Sequence, residues 1–336
     1  MNAKRAPNNV KEASIINNMG ENSHNLPPDT VLQHYTIQKT LNAGGFGIVY
    51  LAVEHNSSQL VVIKEYLPTK IACRDENGHV MLVKPEYMER FSEGRKLFIH
   101  EGNAVKRLNH PAIVRARNFF EANNTLYMVM DFAPGENLQA VIRKHSGGLT
   151  ENFLLTVFPP LLDGLRQVHN ASMLHLDIKP GNIHIQPGGL PVLLDFGAVH
   201  RTDMSRQFQP KSVITPGFSP IEQYEHQGYI GPWTDIYAVG ATMRSCIEGS
   251  APPDAKQRRE RDTMRPAVKA FKRKYSLPLL KAIDWAMELD PTLRPQKIDQ
   301  LMDVLNKCLL KSVNDDKSNT MFSRLVGNLP WNKGNL

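Results

Sequence analysis

The chain has 336 residues, which at roughly 150 residues per domain is enough for about two folding units with a sizeable core. A composition of 41% hydrophobic and 22% charged residues excludes a globally disordered chain and a small scaffold that depends on disulfides. The cysteines Cys73, Cys246 and Cys308 are far apart and lack zinc-ligand spacing, which indicates a reducing compartment. No stretch approaches about 18 uninterrupted apolar residues and no Sec-type signal is apparent. We therefore expect no membrane span and a cytoplasmic location, with export by a non-Sec route left open.

The net charge of +7 is concentrated in one segment. Residues 256–274 contain nine Lys or Arg residues and two acidic residues, an excess equal to that of the whole chain. A solvated surface is the simpler interpretation, and a docking face for an acidic partner is the alternative. Nucleic-acid binding is not expected, because only Phe271 and Tyr275 offer aromatic rings near these charges.

The first part of the chain is predicted to be rich in strands. Residues 1–33 are polar and are expected to form a flexible leader. Alternating apolar residues then predict three antiparallel strands, and a polar centre within residues 71–83 predicts an inserted hairpin. A helix over residues 85–108 and two strands, at about 114–120 and 126–132, complete this part.

From residue 138 onward the apolar residues follow helical spacing. A helix is predicted around residues 153–168, where Pro159 and Pro160 are expected to kink or interrupt it. Further helices are predicted at residues 233–247, 277–288 and 298–310. Residues 313–336 are polar with scattered apolar positions and are expected to form a C-terminal tail.

A glycine cluster joins the first two strands. Gly44, Gly45 and Gly47 leave little side-chain bulk around Phe46, so backbone N–H groups could approach phosphates closely. Glycines between strands are more often a simple turn, so this loop gains weight only from the residues that follow it.

A lysine and a glutamate follow at a defined distance. Lys64 ends a Val- and Ile-rich strand and faces the same side as Leu60 and Val62. Glu101 lies 37 residues later on the predicted helix, where its carboxylate could hold the lysine ammonium toward phosphates. A solvated lysine and a surface glutamate are the simpler interpretation of each residue taken alone.

The most specific signal is the sequence HLDIKPGN at residues 175–182, followed by DFG at residues 195–197. The intervening residues predict a hairpin, so Asn182 and Asp195 should lie together at its open end, where paired strands are about 4.8 Å apart. Mg²⁺ binds one or two such protein oxygens together with phosphates and water. Asp177 would lie on the loop that leads to this end, where it could accept a proton from a hydroxyl group.

This spaced set of motifs resembles the protein kinase family, specifically the bacterial kinases of eukaryotic type that act on Ser and Thr. The resemblance spans most of the chain and implies an α+β bilobal fold, with a small antiparallel-sheet N-lobe that carries one main helix and a larger, mainly helical C-lobe. The expected kinase domain covers residues 34–312, divided into 34–133 and 134–312. ATP and Mg²⁺, with Mn²⁺ as an alternative metal, protein substrates with Ser or Thr, and autophosphorylation are implied.

The resemblance also assigns roles to residues. Lys64 would contact the α and β phosphates and pair with Glu101, Asp177 would be the catalytic base, and Lys179 would assist at the γ phosphate. Asn182 and Asp195 would hold Mg²⁺. The residues implied to bind the nucleotide are Asn42, Gly44, Gly45, Phe46, Gly47, Val49, Val62, Lys64, Met130, Asp131, Ala133 and Asn137.

The same resemblance implies the substrate class and the residues that hold the site in place. Lys179 and Thr215 are the pair that hydrogen-bonds around the base in Ser/Thr enzymes. Glu222, in a Pro-x-Glu motif, would pair with Arg294, and Asp235 would brace the catalytic loop.

Three positions depart from the family pattern. Asn42 replaces the first loop glycine and Val62 replaces a small residue, which should tighten the roof over adenine. Leu176 stands where the family usually has an arginine that gathers around a phosphorylated activation loop. Control by phosphorylation of that loop is therefore less expected.

Two other classes of phosphate-handling protein share parts of this pattern. A pseudokinase usually lacks one of three residues that are present in this chain: Lys64, Asp177 and Asp195. A small-molecule phosphotransferase of the aminoglycoside type lacks the long segment before the Pro-x-Glu stop. The 27 residues from Asp195 to Glu222 give room for a platform that receives a peptide.

Overall fold

The structure is a computed structural model that describes residues 24–201, 213–225 and 228–317. These described residues form two compact units, the first within Met1–Gly102 and Ala116–Phe132 and the second within Asn103–Arg115 and Ala133–Leu336. Most of the predicted leader and of the predicted tail lies outside the described residues.

Unit 1 is built on a six-stranded antiparallel sheet with the strand order β1-β2-β3-β4-β8-β7. A two-stranded hairpin, β5-β6, follows β4, and helix α1 follows the hairpin after a short 3-10 turn. The bounds are β1 (Val31–Leu32), β2 (Tyr35–Ala43), β3 (Gly47–Glu54), β4 (Leu60–Tyr66), β5 (Ala72–Arg74), β6 (Val80–Leu82), α1 (Met88–Lys106), β7 (Ala116–Ala122) and β8 (Thr125–Asp131). The predicted strands, inserted hairpin and helix are confirmed.

The two-residue period of β4 places Val61 and Ile63 in the core, and Val62 and Lys64 on the less buried face. The same period brings Glu65 into the core, where it is fully buried. An isolated buried carboxylate is unfavourable because it loses its hydration, so this position requires partners.

Three side chains donate to Glu65. Its Oε2 accepts from Arg74 Nη2 and from the Tyr50 hydroxyl, both at 2.7 Å, and its Oε1 accepts from the Tyr127 hydroxyl at 2.6 Å. Burial raises the pKa of both tyrosines, so both hydroxyls remain donors at neutral pH. The inserted hairpin is thereby attached to the sheet by a buried ion pair.

The same network holds residues that were predicted to be part of a flexible leader. Arg74 Nε donates to His24 O at 3.0 Å, and Leu26 N donates to the Tyr50 hydroxyl at 3.1 Å. Leu26 is buried, and Val31 pairs with Thr36. The expectation of a leader is therefore wrong for residues 24–33, because backbone bonds and an apolar anchor fix them to unit 1.

Unit 2 is mainly helical and carries two small sheets, one with the order β12-β11-β9 and one that pairs β10 with β13. Its helices are α2 (Leu138–Lys144), α3 (Glu151–Asn170), α4 (Ile221–Tyr224), α5 (Pro232–Glu248), α6 (Ala255–Glu260), α7 (Ala267–Ala270), α8 (Leu277–Ala286) and α9 (Ile298–Lys317). Its strands are β9 (Glu136–Asn137), β10 (Met173–Leu174), β11 (Ile183–Ile185), β12 (Pro191–Leu193) and β13 (His200–Arg201). The α+β class, with a sheet-rich first unit and a helical second unit, is the expected one.

Two helices of unit 2 differ from the prediction. Helix α3 continues through Pro159 and Pro160, so the expectation of an interruption is wrong. Its apolar face is buried along the whole length, from Leu154 to Val168, and such packing can outweigh the lost backbone bonds. Helix α9 runs to Lys317, beyond the predicted end at Leu310.

None of the helices in the described ranges combines the length and the apolar character needed to cross a bilayer.

The buried pair predicts a large loss of stability when only one partner is removed. We expect Arg74→Met to lower the free energy of unfolding by about 3–5 kcal/mol, because the Glu65 carboxylate keeps its charge without a cation. Urea denaturation measures the change. Arg95→Ala is the control, because Arg95 pairs with Glu121 at a similar distance, 2.6 Å, on the surface. It should cost no more than about 1 kcal/mol. Equal losses in the two variants would contradict the account of Glu65.

Candidate functional site

The sheet of unit 1 brings most of its predicted site residues onto one face. Asn42 pairs with Val49, and Val49 pairs with Lys64, so the three form a row across β2, β3 and β4. Val62 pairs with Met130 in a neighbouring row. Residues directly opposite each other in paired strands point to the same face, so these predicted nucleotide contacts share one surface.

Lys64 reaches helix α1 as predicted. Its Nζ lies 2.7 Å from Glu101 Oε1, and the two side chains are 20% and 7% exposed. This largely buried ion pair excludes the simpler interpretation of two independent surface charges.

The glycine loop contains two kinds of glycine. A Cβ on Gly47 would lie 2.2 Å from Glu65 O, so packing against β4 demands glycine there. A Cβ on Gly44 would find its nearest atom at 3.8 Å, and one on Gly45 would meet nothing within 4 Å. Packing within the described structure therefore gives no reason for glycine at these two positions. Phe46 is 84% exposed at the tip of the loop.

Three further predicted nucleotide contacts, Asp131, Ala133 and Asn137, lie in or after β8. Asp131 accepts from Arg117 Nε, and Ala133 lies in the loop before β9. Asn137 Oδ1 accepts from Ala140 N at 2.8 Å and caps α2, so this side chain has a structural role that the sequence interpretation did not include. Its role as a nucleotide contact stays a prediction.

In unit 2, three polar side chains converge on Asp177, which is 8% exposed. Lys179 Nζ lies 2.9 and 2.7 Å from its two carboxylate oxygens, and the Thr215 hydroxyl donates to Oδ1 at 2.7 Å. Lys179 Nζ also lies 3.2 Å from the Thr215 hydroxyl oxygen. Asn182 Nδ2 donates to Asp177 Oδ2 at 2.9 Å and to its carbonyl at 2.8 Å. The structure thus brings together residues that are up to 38 positions apart in the sequence.

The β11-β12 hairpin places the two predicted metal ligands next to each other, as its pattern indicates. Leu194 N donates to Asn182 O at 2.8 Å, and Asp195 follows directly. Asp195 is exposed and has a left-handed backbone, with φ of 54°. In the residues that the structure describes, no group of three or more His, Cys, Asp or Glu side chains could hold a metal. An amide oxygen and a carboxylate, completed by phosphate and water oxygens, fit Mg²⁺ better than an all-protein cage does.

Asp235 braces the loop that carries Asp177. Its carboxylate accepts from His175 N at 2.9 Å, from Leu176 N at 2.8 Å and from His169 Nε2 at 2.8 Å. Burial would raise the pKa of Asp235, but these hydrogen bonds and the nearby histidines outweigh it and keep the pKa below the usual range. The sequence interpretation missed His169, because a partner 66 residues away leaves no spacing signal.

Leu176 fills an apolar position next to Asp177. It is buried with Leu174 and Ala198, and Ile230 packs against this cluster. Gln223 Nε2 donates to the Leu176 carbonyl at 2.9 Å and thereby fixes the loop from helix α4.

The predicted partner of Glu222 is also in place. Arg294 Nη1 and Nη2 lie 2.6 and 3.1 Å from the two Glu222 oxygens, and both side chains are buried. The Arg294 guanidinium also lies 4.8 Å from the centre of the Tyr237 ring. This buried pair ties helix α4 to the chain after α8.

The basic segment of residues 256–274 presents fewer charges than its sequence indicates. Arg258 is buried and donates to the Tyr237 hydroxyl at 3.0 Å, and Arg259 pairs with Glu225 at 2.5 Å. The prediction of a docking face is therefore wrong at Arg258, whose guanidinium is buried and hydrogen-bonded within unit 2. The residues that stay exposed are Lys256, Arg259, Arg261, Arg265, Lys269, Lys272, Arg273 and Lys274.

Comparison with known families and proteins gives a consistent result. Residues 35–315 match the model of the family described as "Protein kinase domain". A solved structure described as "PpkA-294 apo form" is 36% identical, with a TM-score of 0.75, over 84% of this chain and 100% of that chain.

Curated relatives include bacterial kinases. "Serine/threonine-protein kinase D" of Synechocystis sp. is 28% identical over 83% of this chain and 53% of the relative. "Serine/threonine-protein kinase PknA" of Nostoc sp. is 31% identical over 66% of this chain and 38% of the relative. The protein of the same name from Mycobacterium tuberculosis is 27% identical over 66% and 48%. The chain therefore spans about half the length of these relatives or less.

The Asp235 brace predicts linked losses of stability and activity. We expect Asp235→Asn to lower the free energy of unfolding by about 3–5 kcal/mol, because His169 and two backbone N–H groups lose a charged acceptor. Any reaction that depends on Asp177 should slow by about 10²-fold, because its loop is displaced. Asp303→Asn, on the exposed face of α9, is the control and should change neither quantity.

The pH dependence follows from the lowered pKa of Asp235. The unfolded chain binds a proton to this group at a higher pH than the folded chain does, so the group contributes stability above its unfolded pKa. This contribution is lost as the pH falls through the folded pKa. Unfolding measured from neutral to acid pH should show a smaller acid loss in Asp235→Asn than in the wild type. Parallel curves would contradict the assignment.

Proposed function

The chain belongs to the protein kinase family, and from this premise we propose that it transfers the γ-phosphate of Mg-ATP to Ser and Thr hydroxyls of proteins, its own chain included. The observation that carries the proposal is the bonded set around Asp177, in which Lys179, Thr215 and Asn182 fix one carboxylate. The proposed catalytic domain is residues 34–312, preceded by the anchored residues 24–33.

Phosphoryl transfer requires positioning and neutralisation of charge more than covalent chemistry by the protein. Asp177 accepts the proton of the substrate hydroxyl. The hydroxyl oxygen forms the new bond to the γ phosphorus as the bond between that phosphorus and the β-phosphate oxygen breaks. Lys179, already beside Asp177, supplies positive charge toward the γ phosphate. Thr215 keeps the carboxylate oriented through its hydroxyl.

Asn182 and Asp195 are the proposed metal ligands. Asn182 donates from Nδ2 to Asp177, so its Oδ1 is the atom left to bind a cation, and Asp195 contributes a carboxylate beside it. Bound Mg²⁺ would neutralise charge on the phosphates. Mn²⁺ prefers the same oxygen ligands and is the proposed alternative.

Unit 1 supplies all of the proposed nucleotide contacts except Ala133 and Asn137, which belong to unit 2. Lys64, held by Glu101, would bind the α and β phosphates. Gly44 and Gly45 support this role, because glycine is not required there by internal packing and gives a ligand close access to the backbone. The other proposed contacts are Asn42, Phe46, Gly47, Val49, Val62, Met130, Asp131, Ala133 and Asn137.

Substrate class and location complete the proposal. Lys179 and Thr215 around the base favour Ser and Thr over Tyr, and the 27 residues between Asp195 and Glu222 favour a peptide over a small molecule. All three cysteines lie in the described ranges and none forms a disulfide, which supports a reducing, cytoplasmic location. An acidic partner is proposed only for the exposed charges of residues 256–274, without Arg258.

Labelled ATP tests the assigned roles. The wild type with Mg²⁺ should label a generic basic protein on Ser and Thr. Asp177→Asn, Asp195→Asn and Lys64→Ala should each lose at least about 10²-fold, because each removes a charge that acts in the transition state. Lys281→Ala, on helix α8, is the matched control. Calorimetry with ATP separates the alternatives, because a pseudokinase would bind nucleotide without transfer. Full labelling by Asp177→Asn, or label on Tyr alone, would contradict the proposal.

The apolar surroundings of Leu176 predict independence from activation-segment phosphorylation. Protein treated with a phosphatase, and checked by mass spectrometry to carry no phosphate, should keep at least about half of its initial rate. The reason is that position 176 is a buried leucine, which cannot bind a phosphate group as an arginine would. A fall to a few per cent, restored by preincubation with ATP, would show that a phosphate switch operates.

A further inference from the structure

Helix α1 carries Glu101, and aromatic side chains that pack against two of its glycines fix its position on the sheet. We propose that Tyr66, Gly94 and Phe98 are positioning residues that set the helix where Glu101 reaches Lys64. The inference rests on the proposed kinase function, because it explains how that ion pair is held.

Gly94 and Gly102 lie on one face of α1, and each leaves a gap, called a notch below, where a side chain would otherwise stand. Gly94, Phe98 and Gly102 follow each other at intervals of four residues, which places them in one row along the helix. A Cβ on Gly94 would lie 2.0 Å from the Tyr66 hydroxyl oxygen and 2.8 Å from Cζ of its ring. A Cβ on Gly102 would lie 2.1 Å from Cε2 of Phe119.

Phe98 lies in the row between the two glycines. Its ring centre is 5.8 Å from that of Tyr66 and 5.5 Å from that of Phe119. A ring of the sheet therefore meets each glycine, and a ring of the helix packs against both of these rings. Sliding α1 along its axis would drive Phe98 into a neighbouring ring, so the contact defines one axial position.

Tyr66 is held firmly enough to act as a stop. It is buried, its hydroxyl donates to Phe91 O at 3.1 Å, and its ring lies 5.1 Å from the Phe91 ring. Burial raises the pKa of Tyr66 to about 12, so the hydroxyl stays a donor at neutral pH. The ring of Phe119 is only half-buried and has more room to move. We therefore expect an added methyl group to be tolerated less well at Gly94 than at Gly102.

Strand β4 joins this contact to the ion pair. Tyr66 and Lys64 are two residues apart and face the same side of the strand. The strand thus holds α1 twice, through Tyr66 at Gly94 and through Lys64 at Glu101. Relieving a contact of only 2.0 Å between the added Cβ and the Tyr66 hydroxyl oxygen needs a movement of at least about 1 Å, and a displacement of that size at a site can cost about 10²-fold in rate. The same movement would lengthen the 2.7 Å bond between Lys64 and Glu101 beyond hydrogen-bonding distance.

The first test introduces the missing methyl. We expect Gly94→Ala to lower the kcat for peptide phosphorylation about 10-fold and to raise the KM for ATP. Ser92→Ala is the matched control, because it raises helix propensity at an exposed position of the same helix and should leave both constants within about two-fold. Gly102→Ala, against the less confined Phe119, should have a smaller effect. Wild-type constants in Gly94→Ala would overturn the inference.

A compensating substitution controls for general misfolding. Tyr66→Leu removes the ring that the new methyl meets, so Gly94→Ala with Tyr66→Leu should be more active and more resistant to urea than Gly94→Ala alone. This cycle reports the contact through stability as well as through activity. Failure of Tyr66→Leu to compensate in both readouts would show that Gly94 does not act through Tyr66.

A second cycle asks whether the effect passes through Glu101. In a Glu101→Gln background, Gly94→Ala should cause less than about two-fold further loss of kcat, because the carboxylate that it displaces is already gone. A general weakening of the fold would again lower kcat about 10-fold, and this result would overturn the positioning role. Absence of transfer by the wild type would instead contradict the proposed function, and the stability cycle would still decide whether the notch exists.

Discussion

Three polar side chains, Lys179, Thr215 and Asn182, hold the carboxylate of Asp177, and the proposed chemistry depends on that carboxylate having one orientation. A freely rotating base would lose rotational entropy each time it was oriented for the reaction, whereas folding has already oriented this one. Asp235 extends the constraint by fixing the backbone of the same loop through two N–H groups. The proposed base is thus held from its side chain and from its backbone.

Unit 1 shows how three consecutive residues can serve three different contacts. Lys64 pairs with Glu101 on α1, Glu65 enters the core and binds Arg74, and Tyr66 meets the Gly94 notch. The alternation of β4 sends the middle residue to one face and its neighbours to the other. One strand therefore anchors the helix and the inserted hairpin at once.

The sequence was sufficient for features that depend on local periodicity or on spaced motifs. Strand alternation placed Lys64, the hairpin pattern brought Asn182 next to Asp195, and the resemblance to protein kinases, through the Pro-x-Glu motif, implied Arg294 as the partner of Glu222. Each of these predictions uses a short-range rule whose long-range partner is identified by a motif.

Features set by tertiary packing could not be predicted in this way. Polar composition gave no sign that residues 24–33 are anchored, because the anchor is an arginine about 50 residues away. Charge alone could not show that Arg258 is buried. Local propensity could not show that α3 continues through Pro159 and Pro160, because burial of its apolar face outweighs that propensity. The need for glycine at Gly94 is visible only when the Tyr66 ring is in place.

The central claim, that Asp177 is the base of a protein Ser/Thr kinase, is tested most directly by mixing the wild type with full-length Asp177→Asn protein in Mg-ATP. Mass spectrometry, with the variant made distinguishable by isotopic labelling, follows phosphate on each chain. The account predicts that Asp177→Asn gains phosphoserine or phosphothreonine only when wild type is present. Phosphate appearing on Asp177→Asn alone at the wild-type rate would contradict it.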